Sequence, residues 1–123
     1  MALASGGGRG HRLAGSNVRV SGVDLTYASR EGPVHVLRGV TFDVDGGEFV
    51  CFVGPSGCGK TSLLALVAGL RRQSRGSVLV DSIEVRTAVT EIGMVFQRDL
   101  LLGWRTVIDN VLLQAEMRHL DKG

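Results

Sequence analysis

The stretch from Gly54 to Ser62, GPSGCGKTS, constrains this chain more than any other part of its sequence. It matches G-x-x-x-x-G-K-[ST], the pattern of loops whose backbone cradles phosphate groups. An apolar run, Phe49 to Val53, precedes it, and a Leu- and Ala-rich run that ends at Gly69 follows it. A helix that begins directly after such a loop turns its unpaired N–H groups and the positive end of its dipole towards an anion. The sequence therefore predicts a phosphate-binding turn between a buried strand and a short helix.

The positions of this loop have separable expected roles. The glycines let the backbone approach the phosphates closely, and Pro55, which has no N–H, fixes the entrance of the loop. The ammonium of Lys60 can reach the β- and γ-phosphates, and the hydroxyl of Thr61 is suited to bind Mg²⁺. The thiol of Cys58 is expected beside the phosphates, so its alkylation should block nucleotide binding. The predicted phosphate-binding residues are Gly54, Pro55, Ser56, Gly57, Cys58, Gly59, Lys60, Thr61 and Ser62.

Composition excludes several other classes of protein. The chain has 123 residues, and its 14 Lys and Arg against 12 Asp and Glu give a net charge of +2, which argues against a nucleic-acid partner. Its two cysteines, Cys51 and Cys58, are too few for a disulfide scaffold and lack metal-ligand spacing. No apolar run is long enough for a membrane helix. The chain is therefore expected to be globular, with its 18 glycines divided between a tail, tight turns and the phosphate loop.

The first half of the chain is predicted to be mostly β-structure. Residues 1–17, rich in Gly, Ser and Arg, are expected to form a mobile tail. Alternating apolar residues predict strands over Val18–Tyr27 and His35–Val44, and the sequence from Asp45 to Glu48 is typical of a tight turn. The strand Phe49–Val53 is apolar at every position, which favours burial on both faces, as in a parallel sheet.

The second half is predicted to alternate strands and a helix. Ser77–Val80 and Ile83–Val85 flank Asp81-Ser82 as a hairpin, and Ile92–Phe96 forms a further strand. Thr106 and Asp109 have the spacing of a capping box, which predicts a helix from Thr106 to about His119. One apolar stripe on this helix is typical of a core-facing surface. It comprises Val107, Ile108, Val111, Leu112 and Ala115.

Several motifs in order make the chain similar to a known family. They are Tyr27, then LRGVTFDVDGGEFVCFVGPSGCGKTSLLALVAGL, GSVLVDSIEV and IGMVFQRDLLLGWRTVIDNV. From Val18 to about Val111 the chain resembles the ATP-binding subunits of ABC transporters. The stretch from Gln97 to Val107 resembles the importer branch that serves nitrate, sulfonate, taurine and related small anions. The resemblance implies an α/β P-loop NTPase fold, with an antiparallel β-subdomain and the first strands and helix of a parallel core.

The resemblance also implies roles, a cofactor and partners. Tyr27 matches the aromatic residue that stacks on adenine, and Gln97 matches the Q-loop glutamine, which binds Mg²⁺ or the attacking water. Lys60 and Gln97 are thus the implied catalytic residues, and Thr61 and Gln97 the implied ligands of Mg²⁺. The implied cofactors are ATP and Mg²⁺. The implied partners are transmembrane permease subunits and a second nucleotide-binding domain in a homodimer, at the cytoplasmic face of the membrane.

The same comparison leaves alternatives open. Residues 18–123 are expected to be the N-terminal part of such a domain, ending before the LSGGQ signature, Walker B, the catalytic Glu and the switch His. Weak MgATP binding without appreciable hydrolysis is then expected. One alternative is a truncated, non-hydrolysing ATP-binding module. Another is a small P-loop kinase-like enzyme, in which Asp81, after the apolar residues Val78–Val80, would have to hold the magnesium.

Overall fold

The computed structural model describes residues 2–6, 15–89, 92–98 and 100–117, without the side chains of 2–6 and Gln114. The chain divides into two compact units, residues 1–89 and 90–123. The strands of the first unit are β1 (Ala2–Gly6), β2 (Val18–Ser29), β3 (Gly32–Val44), β4 (Phe49–Val53), β5 (Arg75–Val80) and β6 (Ile83–Glu84). Its helix is α1 (Lys60–Val67), and the second unit contains α2 (Val107–Val111) and α3 (Leu113–Met117).

The larger sheet of the first unit is antiparallel and has the strand order β3-β2-β5-β6. In the β2–β3 pair, Val18 lies opposite Val44, and in the β2–β5 pair the same Val18 lies opposite Val80. Strand β2 is therefore an inner strand of an antiparallel sheet, which agrees with the β-subdomain that the family resemblance implies.

A single buried cluster holds α1 against this sheet. Leu63 and Leu66 are three residues apart on α1 and are buried, so one face of the helix supplies them both. The strand residues and one loop residue that complete the cluster are Val20, Val23, Leu25, Leu37, Val78 and Val85. The phosphate loop immediately precedes α1, so this packing fixes the direction in which the loop opens.

The two turns predicted in this unit are confirmed. The N–H of Glu48 donates to the carbonyl of Asp45 at 3.0 Å, which closes the turn between β3 and β4. At the β5–β6 hairpin, Asp81 and Ser82 both have positive φ, 49° and 66°. Two successive residues with positive φ give the twist that a two-residue antiparallel hairpin needs.

Strand β4 has surroundings that differ from the prediction. It pairs antiparallel with β1, Ala2 opposite Val53, in a two-stranded sheet. The prediction of a mobile tail is therefore wrong for Ala2–Gly6, because backbone pairing with an unpartnered strand edge orders this segment. Burial on both faces is also not seen, since Phe49 is 78% exposed. No parallel neighbour covers β4 within the described residues.

The second unit contains less regular structure than predicted. Residues 92–96 have no strand pairing, and Val95 is 97% exposed, so the predicted strand Ile92–Phe96 is wrong: the described residues supply no partner for its backbone. The predicted long helix is two short ones, α2 and α3, with Leu112 between them. Its predicted end at His119 lies outside the described residues.

The apolar stripe of that helix is not a covered surface. Val107 is 83% exposed, and Ile108 and Val111 are exposed as well, so the prediction that the stripe faces a core is wrong for these three. A unit of this size buries little apolar surface. Among the helices of the described residues, none combines the length and apolar character needed to cross a membrane.

Candidate phosphate-binding site

The backbone of the phosphate loop depends on two glycines. Gly57 has φ 79° and Gly59, at the N-cap of α1, has φ 97°, conformations that residues with a Cβ rarely adopt. The N–H of Cys58 donates to the carbonyl of Pro55 at 3.4 Å, so the chain folds back on itself within the loop. The helix then begins regularly, with the N–H of Leu63 donating to the carbonyl of Gly59 at 2.8 Å.

The start of α1 presents unpaired donors. The hydrogen bonds of the described residues include none donated by the backbone N–H groups of Gly59, Lys60 or Thr61. The first N–H groups of any helix lack an intrahelical partner, and α1 has neither a side-chain cap nor an acidic residue in its first turn. These donors and the helix dipole therefore form the local environment that an anion requires.

Lys60 lies across the loop that it follows. Its ammonium donates to the carbonyls of Gly54 and Pro55, both at 2.7 Å, and its Nζ lies 3.5 Å from the Cys58 Sγ. The positive charge is thus held over the loop and not directed into solvent. Carbonyl oxygens are neutral partners, so an arriving phosphate offers this ammonium a stronger, charge-assisted bond.

Thr61 and Ser62 carry the first two hydroxyls of the helix. Thr61 is exposed and its hydroxyl makes no hydrogen bond within the described residues. A free hydroxyl next to the phosphate-binding ammonium fits the role of a Mg²⁺ ligand, because Mg²⁺ prefers oxygen donors and is bound together with phosphate oxygens. The Ser62 Oγ instead lies 3.4 Å from the hydroxyl of Tyr27.

Tyr27 is therefore beside the phosphate loop, 35 positions away from Ser62 in sequence. Its ring is partly buried and packs against the core cluster. The guanidinium of Arg71 lies over the ring, with its Cζ 5.4 Å from the ring centroid. The structure thus brings together Tyr27, the phosphate loop and Arg71.

Gln97 belongs to the second unit, whereas Tyr27 and the phosphate loop belong to the first. It is exposed and follows residues 92–96, which form no strand. Its predicted role at the nucleotide stays a prediction.

The loop after Gln97 is held by an asparagine that sequence analysis missed. The Asn110 side chain accepts from the N–H of Leu102 at 2.8 Å and donates to the carbonyls of Leu102 and Thr106, at 3.2 and 2.9 Å. Arg105, 2.7 Å from Glu116, is half-buried, and its hydrogen bond to this carboxylate raises the pKa of the guanidinium. The Thr106 Oγ1 accepts from the N–H of Asp109 at 3.2 Å, which confirms the predicted cap.

Asp81 has a structural role in this chain. Its carboxylate accepts from the N–H of Asn17 at 2.8 Å, across the end of the sheet. Hydrogen bonds from the Ser16 side chain and from the Asn17 backbone hold the pKa of the Asp81 carboxyl below its usual 3.8. A carboxylate engaged with Ser16 and Asn17 gives no support to the alternative in which Asp81 holds a catalytic magnesium.

Two of these residues, Arg71 and Asn110, could not have been found from the pattern of the sequence. Arg71 lies 44 positions from the ring it covers, and no motif joins the two. Asn110 lies inside the apolar stretch of a predicted helix, where its amide could equally have faced solvent. The sequence shows only a polar residue among apolar ones, which does not indicate what its amide contacts.

A glycine-rich turn between a strand and a helix, with lysine and threonine at the first helical positions, defines the P-loop nucleotide-binding class. A family model described as ABC transporter matches residues 37–122, which is more than half of the chain. The chain therefore belongs to the ABC transporter family, as its resemblance predicted.

Curated relatives are named for the import or transport of several solutes. The chain is 43% identical over 100 residues to the taurine import ATP-binding protein of Burkholderia thailandensis, covering 81% of this chain and 38% of that protein. It is 37% identical over 109 residues to a nitrate transport protein of Klebsiella oxytoca, covering 86% and 42%. It is 43% identical over 103 residues to the sn-glycerol-3-phosphate import ATP-binding protein of Bordetella pertussis, covering 81% and 28%. The chain thus spans well under half of each relative.

A solved structure agrees with the fold. The ATP-binding cassette MJ0796, a dimer in a post-hydrolysis state bound to ADP and Pi, superposes with a TM-score of 0.71 at 29% identity. The superposition covers 86% of this chain and 49% of that one. This similarity confirms the predicted α/β P-loop NTPase class, with the antiparallel β-subdomain as the larger described sheet.

Proposed function

We propose that this chain binds MgATP as part of the energy-coupling ATPase subunit of an ABC importer. The observation that carries the proposal is the arrangement at the start of α1. Gly59 has a positive φ there, the first N–H groups of the helix are free, and the Lys60 ammonium lies over the same loop. A triphosphate needs several donors around one point, and a backbone turn supplies them without loss of side-chain entropy. ATP is the proposed ligand because the chain belongs to the ABC transporter family.

Magnesium would be held by Thr61, with Gln97 as a second ligand. The Thr61 hydroxyl is exposed, makes no hydrogen bond within the described residues and is adjacent to Lys60, so it would supply one oxygen ligand to this ion. When bound, Mg²⁺ neutralises part of the charge of the triphosphate. This chain's own contribution is to bind and orient the phosphates with Lys60 and the loop N–H groups, and to offer the base the ring of Tyr27.

Partners and location follow from the family. Permease subunits in the membrane are the proposed partners, at the cytoplasmic face, and a second nucleotide-binding domain completes the pair. The dimeric state of MJ0796 supports the pairing. The exposed apolar residues of the second unit support contact with another protein, because unpaired apolar patches of this kind commonly mark interaction sites. Those residues include Leu101, Trp104, Val107 and Val111.

The transported solute is proposed to be a small anion of the taurine or nitrate type. The relatives named for taurine import and nitrate transport support this class, and the loop from Gln97 to Val107 is the stretch that resembles their branch. The relative named for sn-glycerol-3-phosphate import widens the class to organic phosphates. Because other subunits bind the solute, the residues described here do not select among these anions.

Calorimetric titration of the chain with MgATP tests the proposal. Replacing Lys60 by Ala should weaken MgATP binding about tenfold to a hundredfold, the value of a hydrogen bond to a charged group of about 1.5–3 kcal/mol. Thr61→Ala should weaken binding of MgATP but leave binding of ATP in EDTA unchanged.

Arg72→Ala is the matched control for the loss of positive charge. Arg72 is exposed, and no described hydrogen bond or ion pair involves it. Its variant should bind MgATP like the unaltered chain. Equal affinity of the Lys60→Ala and Arg72→Ala variants would refute the proposed site.

A further inference from the structure

The ring of Tyr27 is covered by a side chain from the segment that follows α1. Arg71 follows α1, whereas Ser62, which contacts the hydroxyl of Tyr27, lies in its first turn. The Cζ of Arg71 nevertheless lies 5.4 Å from the ring centroid of Tyr27. This distance is within the range at which a guanidinium is attracted to the face of an aromatic ring.

Access to the ring of Tyr27 is limited. Tyr27 is partly buried against the core cluster, and its hydroxyl is directed to Ser62. Arg71 itself is exposed, so its guanidinium approaches the ring from the solvent side. A purine that stacks on Tyr27 needs this same side, at a spacing of about 3.5–4 Å, and cannot share it with a guanidinium already in contact.

We propose that Arg71 is a further residue of the base-binding site, and that its guanidinium competes with the base for the exposed face of Tyr27. The inference rests on the proposed function, because it takes Tyr27 as the platform for the base. The guanidinium lies over the ring, and binding of a nucleoside triphosphate displaces it. Arg71 thereby lowers the affinity for nucleotides and keeps the apolar ring face covered when none is bound.

The competition predicts a gain of affinity on removing Arg71, although a positive charge is lost. An exposed guanidinium–ring contact has a strength that corresponds to about a two- to fivefold change in a dissociation constant. Arg71→Ala should therefore bind MgATP about two- to fivefold more tightly than the unaltered chain. Arg71→Gln, which keeps a long polar side chain without a charge, should behave in the same way.

Inorganic tripolyphosphate separates competition at the ring from a general effect of charge. It can use the phosphate loop but has no base, so its affinity with Mg²⁺ should not rise in Arg71→Ala. Arg72→Ala removes the same charge one position away and should raise neither affinity. A gain for MgATP that is equalled by magnesium tripolyphosphate would overturn the proposal, because the ring would then not be the site of competition.

The contact itself is observable without nucleotide. The chain contains a single tyrosine, so isotope-labelled tyrosine gives one set of ring signals in NMR. These signals should shift in Arg71→Ala and stay in place in Arg72→Ala. MgATP should shift them in the unaltered chain and should move the Arg71 Nε signal towards that of a free side chain.

The outcomes distinguish this inference from the proposed function. If the unaltered chain and both Arg71 variants bind MgATP equally well, the base site functions and Arg71 is not its competitor. If none of the three binds MgATP, the proposed function fails, and the inference fails with it. A loss of affinity in Arg71→Ala would also overturn the competition, since Arg71 would then assist binding.

Discussion

Gly57 and Gly59 form a matched pair that tests whether the loop geometry described here is the one that holds the site together. Both have positive φ, 79° and 97°, so an alanine at either position is strained by about 1–3 kcal/mol. They differ in the space around them. A Cβ at Gly57 would meet nothing within 4 Å, whereas one at Gly59 would lie 2.7 Å from the Leu37 Cδ2 and 3.2 Å from the carbonyl oxygen of Val36.

That difference sets the expected magnitudes. Leu37 is buried, 4% exposed, so its Cδ2 has little room to move, and overpacking of this kind costs about 1–3 kcal/mol in addition to the backbone strain. Gly57→Ala should thus lower the free energy of unfolding by about 1–3 kcal/mol and Gly59→Ala by about 2–6 kcal/mol. Because a small domain is stable by only about 5–15 kcal/mol, Gly59→Ala should be the variant that approaches unfolding.

Urea denaturation followed by circular dichroism measures both values, and MgATP titration of the folded fraction measures the site. Gly59→Ala should also weaken MgATP binding, since Gly59 is the N-cap that orients the first N–H groups of α1. Equal destabilisation by the two alanines would refute the reasoning, because the contact with Leu37 would then not exist. A stable Gly59→Ala protein would contradict the positive φ as well.

Further predictions concern the core, the hairpin and the second unit. Leu63→Ala should cost about 2–5 kcal/mol in urea denaturation because Leu63 is fully buried, whereas its neighbour Leu64, 47% exposed, should tolerate alanine at under about 1 kcal/mol. The lowered pKa of the Asp81 carboxyl stabilises the fold at pH values above the pKa of this group in the unfolded chain, about 4. This stabilisation should be lost as the pH falls through the folded value, so the stability gap to Asp81→Asn should shrink in acid denaturation; a constant gap would contradict it. The N–H of Leu102 donates to the Asn110 side chain, so Asn110→Ala should speed amide exchange at Leu102. Amide exchange in the first unit should stay unchanged.

The parts of the fold that could be predicted from sequence are those set by neighbouring residues. The phosphate loop, the Asp45–Glu48 turn and the Asp81-Ser82 hairpin each depend on the conformational range of a few consecutive residues, and all three form as predicted. The N-cap at Thr106 is a local interaction of the same kind. Interactions of this type depend only on residues close together in the sequence, so their prediction needs no knowledge of distant contacts.

The predictions that were wrong concern structure that depends on partners far away in the chain. An apolar strand does not specify which edge will pair with it, and β4 pairs with Ala2–Gly6, a segment whose composition is typical of a tail. The run Ile92–Phe96 has the residues of a strand, but a strand also needs a ladder partner, and none of the described residues provides one. The exposed stripe on α2 has the same cause, because helical periodicity indicates an apolar face without indicating what covers it.

Helix α1 links the stability of the first unit to its proposed site. Leu63 and Leu66 on its buried face pack the helix against the sheet. Its first residues, Lys60 and Thr61, belong to the proposed phosphate site, and Ser62 contacts the hydroxyl of Tyr27. A ligand that binds this arrangement but not the unfolded chain must stabilise the helix and sheet together. At a ligand concentration of about 100 times the dissociation constant the gain is about 2.7 kcal/mol, comparable to the loss expected from Leu63→Ala. MgATP at this concentration should therefore restore much of the stability of that variant, because core packing and phosphate binding act through the same helix. Once Lys60 is also replaced, a tenfold to hundredfold weaker site should reduce the gain to about 0.4–1.4 kcal/mol.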